Sequence, residues 1–317
     1  MTVRTCRLLI PFLCIGFLAS CRRSADQKPL DTPTSGDIRI GIDASFTPVF
    51  ESEVYTFESL YPSAKVNPVY GEESRIMQML MNDSIRLAVV PRELLQTEKE
   101  HFEKKLKIFP RVTAIAYDAI ALIVNKKNPD TLIAYDQLHG IFNNKIDNWN
   151  QINPKHKNEK LRIVFDNKNS SSARYIKEQF SKNNAFPGFC FALKNNKEVI
   201  EFVENNTDAL GIIGINWISD GDDPASLGFL SKIKVMAVQP ADTMIGAGEY
   251  YPPYQAYIAQ KTYPLVRKIY VISREARTGL GTGFSSFVAG DKGQRIILKS
   301  GLVPATMPVR IIGLDRP

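Results

Sequence analysis

The chain has 317 residues, 44% of them hydrophobic and 23% charged, with a net charge of +7 at pH 7. That length allows two lobes of ordinary domain size. The basic residues are scattered among acidic ones, which argues against a nucleic-acid surface, whereas the modest positive balance suits an anionic ligand.

Arg4 and Arg7 make a basic start, and Leu8 to Leu18 is an apolar run interrupted by Pro11. A membrane-spanning helix needs roughly 20 residues, so this run fits the apolar region of a secretory signal instead. Leu18-Ala19-Ser20-Cys21 follows and resembles a bacterial lipobox, small residues ahead of a cysteine that is acylated after cleavage. Residues 1–20 are therefore expected to be a lipoprotein signal peptide, Cys21 the lipidated residue, and the polar stretch 21–36 a flexible tether. Cys6 and Cys14 leave with the signal. Cys190, inside the apolar Phe189-Cys190-Phe191, has no disulfide partner left and is expected to be a buried, inert thiol.

Ile38 to Ile42 alternates and predicts a first strand. Pro48 to Leu60 has helical spacing, and Pro48 suits a first helical turn, where no N–H is needed. Ala64 to Tyr70 predicts a strand, Ser74 to Asn82 a helix and Leu87 to Val90 a short buried strand. This alternation is the pattern of a parallel sheet covered by helices. The character changes near Tyr117. Ala119 to Val124 is a continuous apolar run that suits a strand buried on both faces. Strands are predicted at 161–165 and 210–214, with helices at 173–183 and 199–204, so a second α/β unit spans 118–234. Beyond it, 235–238 and 269–273 predict strands and 283–290 and 291–300 helices, a tail expected to rejoin the first lobe. Gly279 to Gly283 is glycine-rich but lacks the lysine and context of a phosphate loop, and is expected to be a turn.

Three polar stretches precede predicted helices: Ala44-Ser45-Phe46-Thr47-Pro48, Gly71-Glu72-Glu73-Ser74, and Asn169-Ser170-Ser171-Ser172-Ala173-Arg174. Helix N-termini carry free N–H groups and the positive end of the helix dipole, so three brought together would form a cage for a small oxyanion. Each serine also suits plain helix capping. Glu72 and Glu73 are unwelcome beside an anion. His101, His139 and His156 are too scattered to form a local metal motif, and no nucleophile elbow or phosphate loop is present, so neither metal, cofactor nor enzymatic chemistry is expected.

Several stretches together resemble the phosphate-binding proteins of bacterial ABC phosphate importers. They are Ala44 to Phe50, Tyr117 to Asn125, Asp136-Gln137-Leu138, Ile141-Phe142, Lys145 to Trp149, Asn169 to Arg174, Gly293 to Ile296 and Gly301 to Pro304, in the family's order. The resemblance implies an α/β, two-lobed periplasmic binding protein of type II, each lobe a mostly parallel sheet flanked by helices. The segments would be 37–117 and 235–317 for the first lobe and 118–234 for the second. It implies a membrane-tethered monomer on the periplasmic side of a bacterial membrane, holding inorganic phosphate between the lobes and passing it to an ABC permease. Another oxyanion or small anion, or a sensor or interaction lipoprotein on the same fold, are the alternatives.

The resemblance also implies ligand roles for Ser45, Phe46, Ser74, Ser170, Ser171 and Ser172, with Ser171 where the family's Ser-Gly-Thr loop has glycine. The family usually has an aspartate after the third strand and an arginine just before the serine loop. Here those positions fall on Pro91, with Arg92 next, and on Asp166. The expectation is an exchanged pair across the cleft. Arg92 would meet the ligand oxygens through its planar fork, and Asp166 would orient it or accept a ligand proton. Arg174, one turn into the helix, is a third charged candidate.

Overall fold

The computed structural model of the protein describes residues 30–156 and 159–308, so the expected signal, the expected lipidation at Cys21 and most of the expected tether lie outside it. Gly36–Asp43 (β1), Thr47–Leu60 (α1), Ala64–Gly71 (β2), Glu73–Met81 (α2) and Leu87–Val90 (β3) alternate as the sequence predicts. Gln96–Glu100 (α3) runs into a π-helical turn at His101–Leu106 and then into the long strand Arg111–Asn125 (β4). The chain continues through Leu132–Ala134 (β5), Tyr135–Phe142 (α4), Arg162–Phe165 (β6), Ser171–Phe180 (α5), Cys190–Ala192 (β7), Asn196–Asn205 (α6), Ala209–Gly214 (β8) and Pro224–Leu230 (α7). Ile233–Val235 (β9), Ala237–Gln239 (β10), Gln255–Ala259 (α8), Val266–Ser273 (β11), Leu280–Ala289 (α9), Asp291–Lys299 (α10) and Val303–Pro304 (β12) follow. Among the described residues no helix is long and apolar enough to cross a membrane.

Most strands form one curled sheet in the order β2-β1-β3-β11-β4-β8-β6-β7, with β9 and β12 also pairing with β4, while β5 and β10 form a separate pair. β1 runs parallel to β2 and β3, and β6 parallel to β7 and β8. β11 and β8 flank β4 and both run antiparallel to it. Two mostly parallel lobes therefore share one strand. The first part of β4, through Ala119, pairs with β11, and from Ile120 onward it pairs with β8. Ala119 to Val124 are fully buried, as a strand covered on both faces requires. β4 begins at Arg111, well before this apolar run; Arg111 to Ala114 are exposed or half-buried and pair with β11.

Four expectations change. The single strand predicted at 235–238 is two strands. β9 pairs with β4, the Met236 N–H donates to the Leu122 carbonyl at 2.8 Å, and β10 pairs with β5. β10 thus stays with the second lobe, and the chain reaches the first again only through α8 and β11. Gly279 to Gly283, expected to be a turn, opens α9. A Cβ on Gly283 would stand 1.8 Å from the Pro33 carbonyl oxygen, so glycine is what lets the chain before β1 lie against this helix. That chain is itself fixed: Asp31 accepts from the Leu280 N–H at 2.9 Å, and Thr32 and Ser35 close a turn. The end of the expected tether is therefore part of the fold. Cys190 is half-buried on β7 rather than enclosed, though burial still pushes its thiol up to about 12, far from reactive.

The inner face of α1 contains Val49, Phe50, Val54 and Phe57, and also Glu53, fully buried with both carboxyl oxygens unpartnered. Burial raises its pKa from 4.5 to about 9. Between those values the folded chain keeps a proton that the unfolded chain has released. Stability therefore falls as pH rises, by about 1.4 kcal/mol per pH unit from this group. We predict that Glu53→Gln removes that slope. In urea unfolding, the stability of the variant relative to the parent should rise by on the order of 3–4 kcal/mol between pH 5 and pH 8. Parallel pH profiles would show that Glu53 carries no buried proton.

Candidate anion-binding site

β1 ends at Asp43, whose Oδ1 accepts the Ser45 N–H at 2.8 Å and sets a single 3₁₀ turn over Ala44–Phe46. The turn feeds α1, with Pro48 in its first turn. Ser45 and Phe46 are fully buried. The Ser45 carbonyl accepts from Asn216 Nδ2 at 2.9 Å and Trp217 Nε1 at 3.0 Å, both on the short helical turn that follows β8. The second lobe thus grips the first lobe's loop by its backbone. Opposite, the Ser170 side chain caps α5 by accepting the Ala173 N–H at 3.1 Å, and Ser171 and Ser172 are fully buried. Ser45 Oγ and Ser171 Oγ lie 3.4 Å apart, so two of the three polar stretches meet.

The cation at this meeting point comes from β11. Arg267 and Asp118 are cross-strand partners, and Arg267 Nε donates to Asp118 Oδ2 at 2.7 Å. Its Nη1 donates to Ser171 Oγ at 2.9 Å, and the guanidinium lies 5.2 Å from the Phe46 ring centroid. Its Nη2 is buried with no partner. Ser172 Oγ, Asp43 Oδ2, Asp166 Oδ1 and Asn216 Oδ1 are likewise buried and unpartnered. Gly214 keeps space beside them. A Cβ there would stand 3.3 Å from Asn216 Oδ1, 3.6 Å from Arg267 Nη2 and 3.8 Å from the Ser45 carbonyl oxygen. Desolvation raises Asp43 to about 6 against the pull of Arg267, and raises Asp118 and Asp166 in the same way. Desolvation works against the Arg267 charge, but Asp118, Asp43 and Asp166 more than offset it. The site therefore offers hydroxyl and guanidinium donors beside carboxyl acceptors, the equipment for a small oxyacid anion.

A family model described as a PBP superfamily domain matches residues 28–292. The chain belongs to the PBP superfamily. Among curated relatives, the phosphate-binding protein PstS of Borreliella burgdorferi is 22% identical over 306 residues, covering 93% of this chain and 97% of its own. PstS of Pseudomonas aeruginosa is 22% identical over 269 residues, 80% of this chain and 78% of its own. Among solved structures, one from Clostridium perfringens, assigned as a phosphate ABC transporter substrate-binding protein and holding bound phosphate, superposes with a TM-score of 0.67. It is 21% identical and covers 84% of this chain and 99% of its own. An ABC-type phosphate transport receptor from Vibrio cholerae gives 0.60 at 20% identity, with the same coverages. These likenesses match the two-lobed fold that the sequence resemblance implied.

In this member of the PBP superfamily the expected site residues divide. Ser45, Phe46, Ser170, Ser171 and Ser172 come together with Asp166, which also accepts from Asn196 Nδ2 at 3.3 Å. Ser74 is exposed on α2, while its neighbour Glu73 turns inward and is buried. Arg92 does not pair with Asp166. Its fork is occupied by Glu98, at 2.7 and 2.8 Å, and its Nε by Glu73 at 2.7 Å. The exchanged pair is thus replaced by a different arrangement, in which the Arg267 charge pulls against the burial that raises Asp166. Arg267, Asn216, Trp217 and Gly214 escaped the sequence reading. A lone aspartate heading an apolar strand was the available signal, since Asp118 needs a buried cationic neighbour.

Arg174 faces Glu73 across the cleft, its Nε 2.9 Å from Glu73 Oε1 and its Nη2 3.0 Å from Oε2. Glu73 belongs to α2 of the first lobe and Arg174 to α5 of the second, so the contact latches the lobes together. Arg92 anchors the latch from behind. Removing Arg92 leaves Glu73 and Glu98 buried without it, and Arg92→Ala should cost on the order of 3 kcal/mol of stability. Arg174→Ala leaves Glu73 still paired with Arg92, and should cost about 1 kcal/mol or less. Only the second should open the lobes, seen as a larger radius of gyration in small-angle scattering at an unchanged unfolding slope. Equal stability losses, or an unchanged radius for Arg174→Ala, would refute this division of roles.

Proposed function

We propose that the chain captures inorganic phosphate, or a tetrahedral oxyanion like it, between its lobes and delivers it unchanged to an ABC permease. The observation that carries this reading is the pair of buried, unpartnered donors, Arg267 Nη2 and Ser172 Oγ, beside Ser45 Oγ, Ser171 Oγ and the N-terminus of α5. A fully desolvated guanidinium with a free N–H is costly unless something completes it. An oxyanion does so through the same geometry that pairs guanidinium with carboxylate. In this reading Ser45, Ser171, Ser172 and Arg267 donate to the ligand and Asp43 or Asp166 accepts a ligand proton. Phe46 packs under the guanidinium, Ser170 fixes the loop, Arg174 acts on closure, and Arg92 holds the buried Glu73. The names of the relatives, phosphate-binding proteins and phosphate transport receptors, support the ligand class.

We further propose that Cys21 is lipidated and that the chain works as a monomer anchored on the periplasmic side of a bacterial membrane. The basic start, short apolar run and Leu18-Ala19-Ser20-Cys21 support this. Labelled palmitate should enter the parent chain and not Cys21→Ala.

Titration calorimetry tests the ligand. Phosphate should bind with one-to-one stoichiometry. Ser172→Ala should weaken it about tenfold, the worth of one hydrogen bond to a charged group. Gly214→Ala should weaken it at least as much, because the methyl group takes space beside Arg267 Nη2. Absence of any phosphate heat, or full affinity in both variants, would overturn the assignment.

A further inference from the structure

The two ends of β1 differ in chemistry. Its last residue, Asp43, belongs to the anion site, whereas its first, Gly36, borders an open hollow of about 900 Å³. At about 3.3 Å per residue, the strand sets the two roughly 20–25 Å apart. Arg39, Lys65, Arg86 and Arg277 line the hollow, against the acids Asp31 and Asp37. Sheet pairing puts the cations there. Lys65 on β2 is the register partner of Asp37 on β1, and the Arg86 N–H donates to the Arg39 carbonyl at 2.9 Å. Neighbouring strands thus bring Lys65, Arg39 and Arg86 to one surface, and Arg277 joins from the segment after β11.

All four basic residues are exposed. Among the described residues, no carboxylate lies within ion-pair distance of Arg39, Lys65 or Arg86, and Arg277 reaches Asp31 at 3.6 Å. Several exposed cations elsewhere are matched, as Lys104 is with Glu100, Lys232 with Glu204 and Arg295 with Asp291. The two acids of the hollow are already engaged: Asp37 accepts from Asn67 Nδ2 at 2.7 Å, and Asp31 from the Leu280 N–H. Like charges gathered in this way repel one another, so an external anionic surface is their complement.

The path of the chain identifies that surface. Asp31 lines the hollow, and Leu30 before it is 83% exposed, so the chain enters the fold at the rim. Residues 21–30 can span at most roughly 35 Å. They carry Arg22, Arg23 and Lys28 against Asp26. With lipid on Cys21, as proposed above, the hollow is held within that distance of a bilayer.

We infer that this basic hollow docks on the anionic phospholipid headgroups of the membrane to which the chain is tethered. The inference rests on the lipid-anchor reading and adds an orientation to it. Arginine forks suit phosphodiester oxygens, and lysine adds a point charge. The tether makes the contact intramolecular, so a few weak charge contacts suffice. In the docked state the cleft, at the other end of β1, stays clear of the bilayer and open to ligand.

The test uses the lipid-anchored chain reconstituted in vesicles of phosphatidylcholine, or of phosphatidylcholine and phosphatidylglycerol in equal parts. A water-soluble acetylating reagent reads Lys65, with exposed Lys197 on α6 of the second lobe as the control. Lys65 should react several-fold more slowly on the anionic vesicles, with Lys197 unchanged. Protection should vanish in 1 M salt, where the screening length falls to about 3 Å. Arg39→Gln and Arg86→Gln should each lower the ratio of docked to free chain about fivefold, the worth of one basic residue at an anionic surface. Equal Lys65 rates on the two vesicles would overturn the inference and leave the anchor intact. Protection by inorganic phosphate on neutral vesicles would overturn it too, making the hollow a free-anion site. Protection that requires a permease in the vesicle would make it a protein interface instead. A chain that floats with neither vesicle would overturn the anchor and the inference together. The rates of the parent chain decide, so misfolding of a variant leaves the outcome unaffected.

Discussion

The arrangement depends on the contact between Asp118 and Arg267. It sits where β4 passes from one lobe to the other, one rung before its pairing shifts from β11 to β8. Both side chains are almost wholly removed from water. A buried ion pair of this kind adds little net stability, because desolvation consumes most of its Coulomb gain, yet losing either partner is expensive. Its value here is positional. With Nε held by Asp118 and the guanidinium plane above Phe46, Nη1 is aimed at Ser171, and Nη2 is left facing the space that Gly214 keeps clear. The anion-facing geometry is thus a consequence of strand register. Registers are hard to shift, because a one-residue slip turns every side chain to the other face.

Around that fixed point the two lobes contribute different kinds of contact. The first lobe offers a turn whose backbone is exploited from across the cleft: Asn216 and Trp217 bind the Ser45 carbonyl, leaving its hydroxyl free to turn toward Ser171. The second lobe offers a helix start, where Ser170 satisfies the cap and Ser171 and Ser172 point inward. A further contact lies on α2 and α5, where Glu73 and Arg174 join the lobes by charge. Three arginines that the fold brings to this region therefore do unlike work. Arg267 serves the cleft, Arg174 its closure, and Arg92 the burial of Glu73.

What the sequence revealed follows the range of the interaction involved. Alternating strands and helices are local, and β1 through β3, α1, α2 and α5 lie close to their predicted places. The helix start at the serine loop was legible because capping asks for such residues at that position, and Ser170 caps α5. The role of Arg267 was not legible, since β11 lies far along the chain from β4 and only sheet pairing makes them neighbours. Ser74 misled for a related reason. Glu73 and Ser74 are adjacent in sequence, but a helix turns neighbours to different faces, and the acidic one faces inward. The break at Met236 follows from a backbone bond to Leu122, which no periodicity reports.

Closure of such a cleft is a balance that contacts of both kinds set. A ligand shifts the equilibrium only by the difference in its affinity for the open and closed forms. The grip on the Ser45 carbonyl and the Glu73–Arg174 latch need no ligand, so alone they would favour closure in its absence. The buried carboxyl groups of Asp43 and Asp166 work in the other direction. Closing the lobes on Asp43 and Asp166 without an oxyanion buries their oxygens unpartnered, at a desolvation cost that the latch must overcome. In the function proposed above, a ligand that accepts from Arg267 and the serines and offers a hydrogen to one of these carboxyl groups removes that cost at its source. On this account the acids do not weaken an anion site. They make its closed form conditional on being filled.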